Sequence, residues 1–397
     1  MELSGKAVLV RVDFNVPMNG GVVMDDARIR VPVATVRDLQ KKGAKVVLMS
    51  HLGKTSNKAK TRSLRQLIPA IEKIYGNSVR FVEDYLSENT RSSMKEAPQD
   101  SLILLENLRF YSQEETCDLD FARKLASLGD FFVNEAFSVS HRKHASIFGI
   151  PQFLPSDLGK NFRKEIQNIE GFFNHASGKR MAIIGGAKLP TKIKLLKRLV
   201  AKIDKLALGG GIAGAFLSYL NDDSSEIFDL TEYESDVKEI LDNAKRFGCE
   251  LIVPTDFSAL ISTKSDHAIM RSENSNTTVF DIGPDSVKLL EDHIVASDVV
   301  LWNGPVGLFE RSPFEFGTKA IAEFIAKRTQ DHKLISIIGG GDTGFAMKKF
   351  NVADKMTCIS TAGGAFLNYV ENEDCPALEA IRISHSKFGR SQLSKVD

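Results

Sequence analysis

Short apolar runs and amphipathic segments alternate along the chain. The intervening segments, such as VATVRDLQKKG and TKIKLLKRLVAKI, have the period of helices. We interpret ten runs as buried strands: AVLVRVDF, KVVLMSH, SLILLENL, DFFVNEAF, RMAIIGGA, KLALGGG, ELIVPTDF, DVVLWNG, LISIIGGG and TCISTAGG. Apolar strands that alternate with helices form parallel sheets covered on both faces. The pattern therefore predicts an α/β fold of doubly wound, Rossmann-like parallel sheets.

Two such domains are expected, because 397 residues exceed the size at which one hydrophobic core keeps growing. Between the fourth and fifth runs lie two prolines and then one charged helical stretch, which we interpret as a helix joining the halves and carrying a hinge. The predicted boundaries are an N-terminal domain over 1–157, a hinge helix over 158–175, a C-terminal domain over 176–372 and a tail over 373–397.

Charge and composition exclude several classes of function. The 52 Lys and Arg residues balance 51 Asp and Glu residues, so no overall field recruits nucleic acid or an anionic membrane. No basic leader with an apolar core and no apolar stretch of about 18 residues is present, so we expect a cytoplasmic protein. The four cysteines lie far apart without a CxxC pair, which favours buried, inert thiols over zinc or disulfides.

The predicted strands of the first half are followed by polar and basic residues. Such residues after four successive strands would converge where parallel sheets bind ligands. They are Asp13, Asn15 and Arg28, then His51 and Lys54, then Asn107 and Arg109, and finally His141, Arg142 and His144. Each alone could be a solvated cation or a structural histidine. Together they predict a site for a small, multiply charged anion.

The strands of the second half pass into helices through glycines, in GGAK, GGGIAG, GGGDTG and AGGA. Glycine lets backbone N–H groups approach phosphate at the positive end of a helix. One such turn could be purely structural, but four favour a nucleotide.

The kind of nucleotide is open at this point. GGGIAG and GGGDTG both satisfy G-x-G-x-x-G, which keeps a nicotinamide-dependent oxidoreductase as an alternative. The acid expected about 20 residues later is absent after GGGDTG, and Asp229 fits weakly after GGGIAG. A Walker A loop is excluded because Leu48 stands where LGKT would need its earlier glycine.

Three side chains in these turns favour a magnesium nucleotide. Asp342 lies inside a phosphate-cradling turn, where a carboxylate repels phosphate unless a cation separates them, although it could instead be a plain N-cap. Lys188 and Lys192 are four apart, which predicts one face of the first helical turn. Lysines there are unfavourable for the helix dipole unless an anion lies between them. Phosphoryl transfer between a small anion and a magnesium nucleotide is the natural chemistry.

Over nearly its whole length the chain resembles the phosphoglycerate kinase family. The motifs occur in the order of the family: VRVDFNVP, DDARI, SHLG, LLENLRF, HRKHAS, GGAK, DIGP, LWNGPVG, GGGDT and TAGGA. The resemblance implies reversible transfer of the acyl phosphate of 1,3-bisphosphoglycerate to ADP, giving 3-phosphoglycerate and ATP in glycolysis and gluconeogenesis. It also implies a magnesium nucleotide, hinge closure, a monomer and a C-terminal tail that returns to the N-terminal domain.

The resemblance assigns roles residue by residue. It implies catalytic roles for Arg28, Lys188, Gly341 and Gly364. Substrate contacts are implied for Asp13, Phe14, Asn15, Arg28, His51, Leu52, Gly53, Lys54, Arg109 and Arg142, with His141 and His144 as supports. Nucleotide contacts are implied for Lys192, Asn303, Glu310, Gly340, Gly341, Asp342 and Thr343, with Glu310 at the ribose and Asp342 on Mg²⁺.

Four positions depart from the family pattern. Lys54 replaces an arginine, Ser138 a glycine, Gly214 an asparagine and Ala362 a glycine. Lys54 keeps the charge but loses the bidentate fork, so we expect a weaker hold on the substrate phosphate. These departures keep a second alternative open, a homologue that binds nucleotide but has lost turnover.

Overall fold

The computed structural model describes residues 3–54, 60–98, 101–176, 179–220, 232–261, 267–270, 277–360 and 362–389. The chain divides into two compact units. Unit 1 comprises Met1–Ile166 and Asn372–Asp397, and unit 2 comprises Gln167–Glu371.

Unit 1 is built on a parallel sheet. Its strands are β1 (Ala7–Arg11), β2 (Met18–Asn19), β3 (Val22–Val23), β4 (Lys45–Met49), β5 (Val79–Val82), β6 (Leu102–Leu105), β7 (Phe131–Asn134) and β8 (Ser156–Leu158). Six of them form the sheet in the order β5-β6-β4-β1-β7-β8, while β2 and β3 form a small hairpin. All pairings in the six-stranded sheet are parallel, so the loops after its strands meet at one edge.

Unit 2 repeats this plan and adds a second sheet. Its strands are β9 (Arg180–Ile184), β10 (Lys205–Leu208), β11 (Glu250–Ile252), β12 (Phe257–Ile261), β13 (His267–Met270), β14 (Thr277–Ile282), β15 (Val299–Asn303), β16 (Ile335–Gly339) and β17 (Cys358–Ile359). The parallel sheet has the order β11-β10-β9-β15-β16-β17. Strands β13, β12 and β14 form an antiparallel sheet.

Helices follow most strands of both parallel sheets. Those in the described residues are α1 (Ala27–Arg30), α2 (Val33–Lys41), α3 (Ile68–Tyr75), α4 (Thr90–Lys95), α5 (Leu119–Ala126), α6 (Lys160–Phe173), α7 (Ile193–Val200), α8 (Gly210–Leu220), α9 (Glu234–Phe247), α10 (Pro284–Val295), α11 (Phe316–Gln330), α12 (Gly341–Lys349), α13 (Gly364–Asn372) and α14 (Pro376–Phe388). None that the structure describes is long and apolar enough to cross a bilayer.

The side chains of successive strand residues in unit 1 are buried in two hydrophobic cores, one on each face of the sheet. Val8 and Val10 pack with Val36 of α2 on one face, whereas Leu9 packs with Leu125 of α5 on the other. Because neighbouring strand side chains point to opposite faces, both faces of this sheet are buried. This burial on both faces explains why the strands read as uninterrupted apolar runs.

The predicted fold class is confirmed. Each of the ten apolar runs contains a strand, but the pattern did not predict β5, β8 or the antiparallel sheet. Strands β5 and β8 lie at the two edges of their sheet. The side chains of β5 are only half-buried, so its apolar signal is weak, whereas β8 is buried but has three residues and begins with Ser156 and Asp157.

Hydrogen bonds attach the start of α6 and helix α14 to the rest of unit 1. The carboxylate of Glu135, directly after β7, accepts hydrogen bonds from the backbone N–H groups of Asn161 and Phe162 at the start of α6. In α14, Ala377 N–H donates to Ser140 O over 3.1 Å, and Ser384 Oγ donates to Leu154 O over 2.8 Å. The division between the units falls inside α6, after Ile166.

None of the four cysteines, all of which lie in the described residues, forms a disulfide bond. Cys249 and Cys375 are buried, as expected, but Cys117 and Cys358 are only partly buried.

Candidate active site

Four neighbouring strands of unit 1 bring the predicted anion site together. Strands β6, β4, β1 and β7 are adjacent in the sheet, and each is followed by residues of the predicted set. Adjacent parallel strands end at the same edge, so residues far apart in sequence become neighbours.

Asp13 is a hub of hydrogen bonds at this edge. Its Oδ2 atom accepts from Arg28 Nη1 over 2.9 Å and from the Ser138 hydroxyl, and its Oδ1 atom accepts from Asn15 N–H over 3.0 Å. Arg28 also donates to Asn15 O over 3.1 Å, while Asn15 Oδ1 accepts from Gly53 N–H over 2.9 Å. The two aspartate oxygens therefore hold the loops after β1 and β7 and helix α1 in one arrangement.

Phe14 and Leu52 contribute differently from the rest of the predicted set. Both side chains are fully buried in the hydrophobic core of unit 1. Phe14 N–H donates to Ser50 Oγ over 2.8 Å, and Leu52 N–H donates to Asn107 Oδ1 over 3.3 Å. Their side chains fix the loops, and both backbone N–H groups already donate within unit 1. Lys54 is exposed.

Beneath this edge lies a buried charged cluster that the sequence did not predict. Arg11, the last residue of β1, is 1% exposed, and its Nη2 lies 3.9 Å from Oε1 of the fully buried Glu114. Arg11 Nε donates to Ser146 Oγ over 2.8 Å, and the Ser146 hydroxyl donates to Glu114. Burial raises the pKa of Glu114, which the charge of Arg11 opposes. An arginine inside an apolar strand was the available signal in the sequence.

The three histidines of this edge have lowered pKa values, which favours the neutral imidazole at neutral pH. Burial and the nearby charges of Arg11, Arg109 and Arg142 hold the pKa of His51 well below its usual value and lower the pKa of His144 to about 3. Burial and Arg142 also lower the pKa of His141. The positive charge therefore comes from the arginines, and the imidazoles serve as hydrogen-bonding groups.

The basic run HRKHAS thus supplies less charge than its sequence indicates. Arg142 Nε lies 3.3 Å from His141 Nε2. Lys143, in contrast, lies 3.6 Å from Glu379 of α14, with its ammonium group over the ring of Phe148. Within HRKHAS, Lys143 faces α14 and the histidines are desolvated beside arginines, which leaves Arg142 to carry the positive charge at this edge.

Arg109 is held in place by its neighbours. Its guanidinium donates to Gly53 O, and its Nε lies 3.1 Å from a Glu115 carboxylate oxygen without hydrogen-bond geometry. Asn107 accepts from Arg109 N–H over 3.0 Å and donates to Leu52 O over 2.9 Å. The loop after β6 is thereby fixed against the loop after β4.

Unit 2 contains a cavity of about 410 Å³ at the carboxyl ends of β9, β15 and β16. Among its lining residues are eight members of the predicted set, Lys188, Lys192, Asn303, Gly340, Gly341, Asp342, Thr343 and Gly364. Gly185, Gly186, Ala187, Thr191, Gly304, Pro305, Gly363 and Leu367 also line it and were not among the assigned site residues. Glycine is required at Gly185 and Gly304, because a Cβ at either would lie 2.1 Å from a backbone oxygen of the opposing loop.

The lysines of GGAKLPTK lie before the helix rather than on it. Lys188 precedes a 3₁₀ turn at Leu189–Thr191, and Lys192 precedes α7, so the prediction that both lie on its first turn was wrong. Pro190 lies at the start of that turn, where its missing N–H group costs no hydrogen bond within the turn. Lys188 is exposed, whereas burial lowers the pKa of Lys192 to about 8, and its ammonium donates to Asn303 Oδ1.

Polar groups that line the cavity suit phosphate and a hard cation such as Mg²⁺. Asp342 lies in the first turn of α12, where Gly340 is the N-cap and no side chain caps the helix, so the N-cap alternative does not apply to Asp342. Asp342 is exposed, and Asn303 Nδ2 is buried without a hydrogen-bond partner. One free carboxylate beside a phosphate site is the arrangement that Mg²⁺ uses with nucleotides, and the residues present therefore fit a magnesium nucleotide.

Four further positions have different outcomes. Glu310 is exposed after β15 but does not line the cavity. Ala362 has no positive φ angle, so its Cβ causes no backbone strain. Gly214 is buried inside α8, and Asp229 lies outside the described residues.

Comparison with known proteins gives one consistent result. The family model described as phosphoglycerate kinase matches residues 1–373. The phosphoglycerate kinase of Bartonella bacilliformis is 40% identical over 384 residues, covering 96% of each chain. The solved phosphoglycerate kinase of Coxiella burnetii has a TM-score of 0.86 at 31% identity, and that of Pyrococcus horikoshii has 0.81 at 27%, each covering 98% of both chains.

Proposed function

The chain belongs to the phosphoglycerate kinase family, and we propose that unit 1 holds the glycerate substrate while unit 2 holds the magnesium nucleotide. The reaction is reversible phosphoryl transfer between 1,3-bisphosphoglycerate and ADP, giving 3-phosphoglycerate and ATP. It is a step of glycolysis and gluconeogenesis.

In unit 1, the substrate phosphate that is not transferred binds at the edge of the sheet where the loops after β6, β4, β1 and β7 meet. Arg109 and Arg142 provide fixed charge, and His51 provides a neutral imidazole. Asp13 and Asn15 orient the glycerate, and Arg28 reaches the carboxyl group that carries the transferred phosphate. Its side chain, 34% exposed, is accessible to a ligand. Guanidinium groups suit these roles because they bind carboxylate and phosphate oxygens in pairs.

In unit 2, the phosphates of the nucleotide lie against backbone N–H groups of the glycine turns. Gly340, Gly341 and Thr343 begin α12, and Gly364 begins α13, so both helix ends present positive dipoles. Lys192 and Asn303 contact the nucleotide phosphates, and Glu310 binds the ribose. Asp342 would hold Mg²⁺, which neutralises charge on the nucleotide phosphates when bound. Lys188, which is exposed, stabilises the phosphoryl group during transfer.

Direct transfer requires that water be excluded from the reacting groups. We therefore propose that the two units close around both substrates and that the hinge lies in α6. We further propose that the protein works as a monomer in the cytoplasm. Small-angle scattering should show a more compact particle with both substrates than with either alone. Equal scattering in all states would contradict closure.

The proposal depends on one observation, the cavity that brings Lys188, Lys192 and Asp342 together with glycine turns. The test is turnover of 3-phosphoglycerate and MgATP, with the acyl phosphate trapped as its hydroxamate. We expect product that disappears with a magnesium chelator and in Asp342→Ala, but not in Asp331→Ala, which removes an exposed carboxylate at the end of α11.

Membership of the phosphoglycerate kinase family rules out the nicotinamide-dependent oxidoreductase. One result would favour the other alternative. ATP binding without turnover by folded protein would support a homologue that has lost its activity.

A further inference from the structure

Ser138 stands where the family pattern has glycine, and its hydroxyl contacts a carboxylate of the proposed substrate site. Ser138 Oγ donates to Asp13 Oδ2, across 125 positions of sequence. A glycine at this position could not make this bond.

The backbone around Ser138 is held firmly. It lies in a 3₁₀ turn at Phe137–Val139, directly after β7, and both flanking side chains are buried. The ring of Phe137 packs edge-on against Phe162 with centroids 5.2 Å apart. Arg142 N–H donates to Val139 O over 3.1 Å, so the same loop carries Arg142. The position of the serine hydroxyl is therefore fixed by the core of unit 1.

Asp13 Oδ2 has two side-chain donors of different character. Arg28 Nη1 donates over 2.9 Å, but the Arg28 side chain is one-third exposed and carries a full charge. In the proposed function, Arg28 turns to the substrate carboxyl group. The substrate carboxyl group then competes with Asp13 for the guanidinium of Arg28, whereas the neutral hydroxyl of Ser138 stays hydrogen-bonded to Asp13.

We propose that Ser138 is a positioning residue that keeps the Asp13 carboxylate oriented while Arg28 engages the substrate. This inference rests on the proposed function. Without the hydroxyl, release of Arg28 would leave Oδ2 without either side-chain donor, and the carboxylate could rotate away from the glycerate. Hydrogen bonds to charged groups are stronger than neutral ones, so the loss should be measurable.

The experiment compares Ser138→Ala, Ser138→Thr and the control Ser127→Ala, which removes an exposed hydroxyl that donates to Lys124 O over 2.7 Å. We expect Ser138→Ala to raise the KM for 3-phosphoglycerate about fivefold to tenfold. The KM for MgATP and the melting temperature should change little. Ser138→Thr should restore the wild-type KM within about twofold, and Ser127→Ala should match the wild type.

A double-mutant cycle tests whether Ser138 acts through Asp13. In an Asp13→Ala background, Ser138→Ala should change kcat/KM less than about twofold, because the acceptor is already absent. An equal effect in both backgrounds, or an unchanged KM in Ser138→Ala, would overturn the inference. Absence of turnover in the wild type would instead overturn the proposed function.

Discussion

The two candidate sites are built from different materials. In unit 1, charged and polar side chains are already hydrogen-bonded to one another, as Asp13 is to Arg28 and Ser138. In unit 2, the cavity is lined largely by glycine backbone, with Lys188 and Asp342 exposed. A preformed set of side chains suits a substrate of fixed shape. Glycine turns with exposed charged side chains suit nucleotide phosphates, whose negative charge is redistributed during phosphoryl transfer.

The difference also predicts how each site fails. Removing a fully buried charged group from unit 1 should disturb stability, because its neighbours lose a partner in a buried place. Removing an exposed charge from unit 2 should leave folding intact and affect the reaction itself.

Lys188→Ala should have the largest effect. Lys188 is exposed, and its proposed role is to stabilise charge that develops only during transfer. We expect kcat to fall roughly a thousandfold, while the Kd of MgATP rises less than about fivefold. Steady-state kinetics and calorimetry measure the two quantities. Lys194→Ala, in α7, is the control for loss of a lysine, and equal losses of kcat and affinity would contradict the role.

Arg11→Met should test the buried cluster of unit 1. The change leaves the fully buried Glu114 without its cationic partner, so we expect a loss of about 3 kcal/mol in the free energy of unfolding. Chemical denaturation measures the loss. Arg11→Met with Glu114→Gln should recover part of it, because no buried charge is then left unpaired. No recovery would indicate that packing, not charge, makes Arg11 important.

The sequence predicted what depends on repeated pattern and missed what depends on single contacts. Apolar runs and glycine turns follow directly from burial and from backbone geometry, so the ten strands and the glycine turns at the cavity of unit 2 could be expected. The charge of His144 could not, because the pKa of about 3 results from burial beside arginines that are distant in sequence. The direction of Lys143 depends on α14, more than 230 residues away, so no local pattern could show it.

The pH dependence of nucleotide binding should distinguish the sites further. Burial lowers the pKa of Lys192 to about 8, so this lysine loses its charge as the pH rises through that value. We expect the Kd of ADP to rise about fivefold between pH 7 and pH 9, as a phosphate contact loses its cation. In Lys192→Arg the dependence should flatten, since arginine stays protonated. A slope that persists unchanged in Lys192→Arg would assign it to another group.

The smallest expected effect concerns Lys54, the exposed lysine after β4. Arginine at this position would add a planar fork that binds two phosphate oxygens, whereas lysine acts as a point charge. We expect Lys54→Arg to lower the KM for 3-phosphoglycerate about threefold without changing the KM for MgATP. Lys6→Arg, an exposed position before β1, is the control. If the KM does not change, Lys54 contributes no directed contact, and the arginines fixed by neighbouring loops carry the recognition of phosphate in unit 1.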